Sequence, residues 1–193
     1  MQLILASQSP RRREILRYFS LPFETITSQF DEDSIPFTGN PETYVLALAS
    51  GKALALSQTY PEAAILGADT IVYRHGKVYG KPKTEEEANT TLTELAGQWH
   101  SVYTGVVLTY QGNIFQTTEE TRVLFNSLTP AQIKHYHTSL HLYDKAGSYQ
   151  LQNAGGLIVN RIEGCYYNVV GLPINSVRSL LQKIGIELWD HLQ

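Results

Sequence analysis

The chain contains little that would support disulfide, zinc or membrane chemistry. It has one cysteine, Cys165, among 193 residues, which excludes an intrachain disulfide and a CxxC metal pair. This cysteine is interpreted as a small core hydrophobe. Such usage suits a reducing compartment, and we expect a cytoplasmic protein. Hydrophobic runs are too short for a membrane span, and the apolar start of the chain is too short for a signal peptide. We therefore expect no membrane partner.

Charge and the common nucleotide motifs are also scarce. Charged residues make up 17% of the chain and the formal net charge is −3, so non-specific binding to nucleic acid is not favoured. The sequence has no Walker A motif, no GxGxxG and no GxSxG. Its six histidines do not form a zinc-like set. An anion site, if present, must be a local cluster of basic residues.

The residues that are present predict an α/β fold. Strand-like patterns occur at residues 1–6, 23–27, 63–73, 102–110, 115–125, 157–159 and 166–170. Helix starts are indicated at Ser9, Asn40, Thr84 and Thr129, and a final amphipathic helix is indicated over 173–184. The mixture of crossover and hairpin connections predicts a mixed sheet with flanking helices. No repeat or linker is evident, so we expect a single domain over residues 1–193.

The first predicted helix begins with an unusual charge pattern. Ser9 has the character of an N-cap and Pro10 of a first helical residue, which places the arginines at 11–13 in the first turn. The N-terminal end of a helix already carries partial positive charge, so cations are disfavoured there. A negatively charged ligand would reverse that penalty.

Not all three arginines have the same interpretation. Arg13 shares a helix face with Arg17, and that face is predicted to be solvated. Arg11 and Arg12 lie close in sequence to the hydroxyl of Ser7 and are candidates for binding a polyphosphate. A purely solvated face remains the alternative for them.

Asp69 interrupts an otherwise apolar strand pattern. An unpaired charge there would be costly, so the residue either caps a neighbouring backbone or acts as a metal ligand or general base. The acidic segment 31–33, which includes Glu32, is a candidate for holding Mg²⁺ against phosphate oxygens, if it folds over the arginines. Lys52 and Lys81 are candidate phosphate contacts, although isolated lysines are more often plain surface residues.

Seven short motifs, the first in two parts, follow one another in an order typical of a known family. They are LAS and SPRR at 5–7 and 9–12, GADT at 67–70, GKP at 80–82, SVYTGV at 101–106, DKAG at 144–147, LQ at 151–152 and NVVGLP at 168–173. The chain resembles the Maf family of nucleoside triphosphate pyrophosphatases over almost its whole length.

The resemblance implies an elongated, ITPase-like α/β fold with two lobes around a central cleft. It implies Mg²⁺- or Mn²⁺-assisted hydrolysis of a nucleoside triphosphate between the α- and β-phosphates, in nucleotide-pool house-cleaning. The implied proton acceptor is Asp69, and the implied metal ligands are Glu32 and Asp69. The implied phosphate-binding residues are Ser7, Arg11, Arg12, Lys52 and Lys81.

Three positions imply the substrate class within that family. Arg11, Thr70 and Gln152 match the branch that acts on dTTP and UTP, whereas the 7-methyl-GTP branch carries tryptophan, glutamine and glutamate there. One departure follows Gln152, where the family usually has glycine and this chain has Asn153. A side chain at that point would alter base preference or rate if it reaches the base.

A second function class stays open at this stage. The resemblance also suggests a regulatory nucleotide- or nucleic-acid-binding protein in septum formation, since the family was first described in that context. Such a binder needs the basic cluster but not Asp69 or Glu32, so the carboxylates favour the enzyme. The sequence is compatible with a homodimer but does not require one.

Overall fold

The computed structural model describes residues 1–141 and 145–192. Seven strands occur in these residues: β1 Leu3–Ala6, β2 Glu24–Thr25, β3 Ala64–Arg74, β4 Lys77–Tyr79, β5 Trp99–Tyr110, β6 Asn113–Phe125 and β7 Val159–Glu163. The α-helices of the same residues are α1 Pro10–Leu16, α2 Pro41–Ser57, α3 Glu85–Leu95, α4 Pro130–Leu140, α5 Tyr166–Val170 and α6 Ile174–Gln182. Short 3₁₀ turns lie at Glu32–Ser34, Ala146–Ser148, Asn153–Ile158 and Leu188–His191.

The strands form one mixed sheet, which confirms the predicted fold class. The order is β2-β1-β3-β5-β6-β7, with β4 paired to β3. The β1 strand is parallel to both β2 and β3, whereas the remaining pairs are antiparallel. Parallel neighbours need a crossover: α1 lies in the one between β1 and β2, and α2 lies in the connection from β2 to β3, on the other side of β1. The tight turn between β5 and β6 uses Gln111 and Gly112 at φ 48° and 76°, as the hairpin pattern predicts.

Both faces of the sheet are covered at the β1 end. Leu3 and Leu5 pack in a core cluster with residues of α1 and α6, while Ile4 and Ala6 pack in another with residues of α2. Alternating side chains of one strand therefore enter different cores, which explains why β1 is apolar throughout. The α2 helix lies so close to the sheet that side chains on Gly67 or Gly105 would overlap its backbone.

A further core lies towards the other end of the long strands. Val72 of β3 and Val102 of β5 pack there with residues of α3 and α4, including Leu92 and Ile133. The middle of β3, around Asp69, thus lies between two core regions. Among the described helices, none is long and apolar enough to cross a membrane.

The structure corrects two predicted strands near the C-terminal end. Residues 166–170, with the sequence YYNVV, form helix α5 rather than a strand. Most of 157–159 belongs to a 3₁₀ turn, and the strand follows it at Val159–Glu163. Aromatic and β-branched residues favour strands, but tertiary contacts override that preference. Here the buried Asn168 of α5 donates to Val102 O and Thr121 Oγ1, both at 3.0 Å.

Candidate active site

A cleft of about 720 Å³ lies between the core regions. Residues of all three core clusters contribute to its walls, including Ala6, Val170 and Tyr149. All nine residues singled out from the sequence also line it: Ser7, Arg11, Arg12, Glu32, Lys52, Asp69, Thr70, Lys81 and Gln152. The structure therefore brings the candidates together, while the role of each remains a prediction.

A lysine and two carboxylates meet at one side of the cleft. Lys52 Nζ lies 2.5 Å from Asp69 Oδ1 and 3.0 Å from Glu32 Oε1. The Lys52 and Asp69 side chains are only 11% and 10% exposed, whereas that of Glu32 is 54% exposed. The α2 helix supplies the lysine and β3 supplies the aspartate. Asp69 is therefore a paired, largely buried carboxylate that faces a ligand-sized cavity.

The acidic segment lies at the Lys52 side of the cleft, where Glu32 forms an ion pair with Lys52. Phe30 precedes it and lies against Gly51 of α2, where any side chain at position 51 would overlap the phenyl ring. Glycine at that point lets the ring approach the helix, one residue before Lys52. Asp31 then caps the 3₁₀ turn that carries Glu32, accepting from Asp33 N at 3.1 Å.

Arg12 is buried and held on several sides. Its Nε donates to Gly171 O at 2.7 Å, Nη2 donates to Thr70 Oγ1 at 3.0 Å, and Nη1 donates to Ser7 Oγ at 3.4 Å. Burial lowers the pKa of the Arg12 guanidinium, and the negative charge of Asp69 opposes that shift. An arginine titrates far above neutral pH, so the group stays charged. The cleft thus has a fixed cation opposite the carboxylates.

The start of α1 has the predicted form. Ser9 is the N-cap and Pro10 follows it, with Ser9 Oγ accepting from Arg12 N at 3.5 Å. Arg13 and Arg17 are exposed, which confirms the solvated face.

The remaining candidates lie at the other walls of the cleft. Lys81 is exposed and follows β4, while Gln152 is half-buried just before the 3₁₀ turn Asn153–Ile158. Asn153 is exposed and has φ 55°, a left-handed conformation that glycine adopts freely and asparagine tolerates. Of the DKAG motif, Asp144 lies outside the described residues, whereas Lys145 and Ala146 line the cleft.

Comparison with known proteins identifies the family. A family described as "Maf-like protein" matches residues 2–184. The chain belongs to the Maf family. A Chlamydia caviae protein named dTTP/UTP pyrophosphatase is 45% identical over 192 residues, which cover 99% of this chain and 98% of that protein. A Clostridium perfringens (strain SM101) protein of the same name is 45% identical over 191 residues, covering 97% and 100%.

Solved structures include one with a similar fold. The Staphylococcus aureus Ham1 protein superposes on this Maf-family chain with a TM-score of 0.51 at 11% identity, covering 95% of this chain and 100% of that one. At that identity the match concerns the fold alone. It agrees with the ITPase-like architecture that the resemblance implied.

The chemistry of the donors at the Lys52 side of the cleft fits a hard divalent cation. Glu32 and Asp69 place oxygens within 3.0 Å of one ammonium nitrogen, so this point already stabilises positive charge. The described residues contain no group of three or more metal-ligating side chains. Mg²⁺ commonly binds one or two carboxylates and takes its remaining ligands from substrate phosphates and water. The two carboxylates suit that mode.

Sequence reasoning on this Maf-family chain missed several residues of the cleft. Phe30, Tyr44 and Tyr149 line it, although none stood out by charge or motif. Burial raises the pKa of the Tyr149 hydroxyl, which lies 3.1 Å from His100 Nε2. Aromatic residues near the motifs were the available signal, but aromatic residues are more often part of a core.

Proposed function

We propose that this protein hydrolyses dTTP and UTP to the nucleoside monophosphate and pyrophosphate, as a cytoplasmic enzyme that removes unwanted nucleotides. The observation that carries the proposal is the buried Asp69 carboxylate in a cleft whose walls also carry Arg11, Arg12, Lys52 and Lys81. A triphosphate needs such a set of cations, and a hydrolase additionally needs a placed base. The names of the Chlamydia and Clostridium relatives support the substrate assignment.

The carboxylates also provide the place for a divalent metal, Mg²⁺ or Mn²⁺, with Glu32 and Asp69 as its protein ligands. When bound, the ion would supply charge neutralisation on the phosphate oxygens. Lys52 binds the same carboxylates, so it keeps them close together before the substrate arrives.

The side chains then divide the chemistry between them. Arg11, Arg12 and Lys81 bind phosphate oxygens, while Lys52 donates to Oδ1 of Asp69 and so orients the carboxylate that accepts a proton from water. The water oxygen forms a bond to the α-phosphorus, and the bond from that phosphorus to the bridging oxygen breaks. The bridging oxygen leaves with pyrophosphate, whose charge the same cations stabilise.

Gln152 is the residue we assign to the pyrimidine. Uracil and thymine share two carbonyl acceptors that flank an N3–H donor. The amide of Gln152 can donate its N–H to one of the carbonyls and accept from the N3–H through its oxygen. Cytosine presents an amino donor and no N3–H, so the same amide is mismatched. A pocket with a defined hydrogen-bond pattern rejects such an analogue strongly, because buried polar groups lose their partners.

The test is pyrophosphate release across a nucleotide panel with Mg²⁺ or Mn²⁺. We expect dTTP and UTP to be hydrolysed well ahead of dATP and dGTP, with CTP intermediate or poor. Asp69→Asn should lower turnover by roughly 10²–10⁴, typical of losing a general base. Asp190→Asn, at an exposed position, is the control and should leave turnover unchanged. A purine triphosphate as the best substrate, or near-normal turnover of Asp69→Asn, would contradict the proposal.

The regulatory alternative receives no support from the names of the relatives. A homodimer and the cytoplasmic location remain predictions, which size-exclusion chromatography with light scattering and cell fractionation can check.

A further inference from the structure

A chain of two threonine hydroxyl groups leads from Arg12 into the interior of the sheet. Thr70 Oγ1, which accepts from Arg12 Nη2, is 2.9 Å from Thr104 Oγ1. Thr104 Oγ1 is in turn 3.2 Å from the carbonyl oxygen of Asn168. Thr104 is fully buried on β5, opposite Thr70 in the sheet register, and it is not among the residues that line the cleft.

The donors and acceptors of this chain determine where each proton lies. The Asn168 carbonyl can only accept, so the single proton of Thr104 is directed to it. Thr104 must then accept from Thr70, and Thr70 offers its remaining lone pairs to Arg12. The other acceptor near Thr70 is Gly171 O, but at 3.5 Å that contact is at the limit of a hydrogen bond. Thr70 therefore has no proton left to donate to a nucleobase.

The far end of the chain is anchored by a second set of bonds. The Asn168 side chain donates to Val102 O and to Thr121 Oγ1, both at 3.0 Å. Thr121 Oγ1 also accepts from Cys165 N at 3.0 Å and donates to Cys165 O at 3.1 Å. Helix α5 is thus joined to β5 and β6 behind the cleft, so its carbonyl is a fixed point for Thr104.

We propose that Thr104 is a positioning residue for the triphosphate: it keeps the Thr70 hydroxyl turned towards Arg12 and thereby holds the guanidinium at the substrate. Each terminal nitrogen of Arg12 uses one N–H in the described bonds and retains a second for phosphate oxygens. This inference rests on the proposed function. It also assigns Thr70 to the orientation of Arg12, instead of the direct base contact that a specificity residue would suggest.

Removal of the Thr104 hydroxyl has a defined consequence. In Thr104→Val the Thr70 proton loses its acceptor and turns either to Gly171 O, which already accepts the 2.7 Å bond from Arg12 Nε, or to the cleft that Thr70 lines. The lone pairs of Thr70 then turn away from Arg12 Nη2, and the guanidinium loses one of its fixed contacts. One such bond corresponds to about a tenfold change in affinity.

The experiment compares Thr104→Val, Thr104→Ser and Thr109→Val with the unaltered protein. Thr109 is the matched control, because it is buried on the same strand and its hydroxyl has no partner among the described residues. Two readouts are used: kcat and KM for dTTP with Mg²⁺, and the Kd of inorganic tripolyphosphate by calorimetry without divalent metal. Melting temperatures are recorded for all four proteins.

We expect Thr104→Val to raise KM and the tripolyphosphate Kd by about tenfold, with a smaller change in kcat. Thr104→Ser should restore both, and Thr109→Val should leave both unchanged. Unchanged affinities in Thr104→Val would overturn the inference. Equal losses in the valine and serine variants would also overturn it, since they would show that only packing at Thr104 matters.

The readouts also separate this inference from the proposed function. If the unaltered protein binds tripolyphosphate but hydrolyses no nucleotide, the proposed function fails, and the Kd values still decide the role of Thr104. If it hydrolyses dTTP and Thr104→Val does so equally well, only the inference about Thr104 fails. If it neither binds nor hydrolyses, both fail.

Discussion

The substitution Lys52→Met tests how much the lysine charge contributes to the stability of the cleft. Methionine keeps most of the length of the lysine side chain but removes its charge, which leaves Asp69 without its partner at 2.5 Å and Glu32 without its partner at 3.0 Å. Two carboxylates would then face each other at one point of the cleft. We expect the folded state to lose stability, and we expect a divalent cation to recover part of that loss.

The burial of each group determines the size of the effect. Breaking a buried ion pair by removing one partner costs about 3–5 kcal/mol. Asp69 is 10% exposed and belongs to that class, but Glu32 is 54% exposed and can turn to solvent. Because water can also enter the cleft, we expect a loss of about 2–3 kcal/mol, at or below the lower end of the range. In a chain of this size such a loss corresponds to about 5–10 °C in melting temperature.

The assay is thermal unfolding with and without excess Mg²⁺. Lys77→Met is the matched control: Lys77 forms an exposed ion pair with Glu94 at 2.7 Å, so its loss should cost at most about 1 kcal/mol and should not respond to Mg²⁺. Mg²⁺ should raise the melting temperature of Lys52→Met more than that of the unaltered protein, because the lysine no longer competes for the carboxylates. An equal Mg²⁺ response in both would refute the competition between the lysine and the metal, and no response in either would refute the metal site. Equal destabilisation by the two substitutions would refute the burial argument.

Two further predictions concern stability. Arg12→Ala should lower the free energy of unfolding in urea by about 1–3 kcal/mol, because the lost bonds to Gly171 O and Thr70 outweigh the smaller gain from removing a cation at a helix N-terminus. Arg13→Ala should change that free energy little. Similar losses in the two variants would show that the Arg12 contacts are unimportant. Burial lowers the pKa of His100 to about 4, so the unfolded state binds a proton below about pH 6.5 that the folded state does not. The contribution of neutral His100 to the free energy of unfolding is therefore fully present above that pH and falls by about 2 kcal/mol between pH 7 and 5. Urea unfolding at the two pH values should show a smaller fall for His100→Gln, whereas His135→Gln, at an exposed position, should leave the fall unchanged.

Much of the candidate site was accessible from local sequence features. The N-cap at Ser9 places Arg12 one turn into α1, and an aspartate within an apolar strand signals a charge that needs a partner. Neither feature identifies the residue that pairs with the charged side chain. Lys52, Glu32 and Asp69 are separated by at least 17 residues from one another along the chain. Only the packing of α2 on β3 and of the Glu32 turn against α2 brings both carboxylates within 3.0 Å of Lys52 Nζ.

The errors have a common physical cause. In segment 166–170 the residue types favour a strand, yet the segment is a helix because Asn168 finds its partners on β5 and β6. Strand preference depends on neighbours that are distant in sequence, so a local pattern cannot decide it. The contacts of Thr70 were likewise outside the reach of a local pattern, since Arg12 and Thr104 approach its hydroxyl from distant segments of the chain.

The amino-acid sequence by itself determined the α/β class, the long hairpin, the helix caps and the family, because periodicity, turn residues and motif order are local properties of the chain. The tertiary structure alone decided which atoms share the cleft and how they are paired. Buried charges and hydroxyl groups take their protonation and direction from the partners that surround them, and those partners come from distant segments. For that reason Asp69 was recognisable from the sequence, whereas the hydroxyl chain from Arg12 to Asn168 was not.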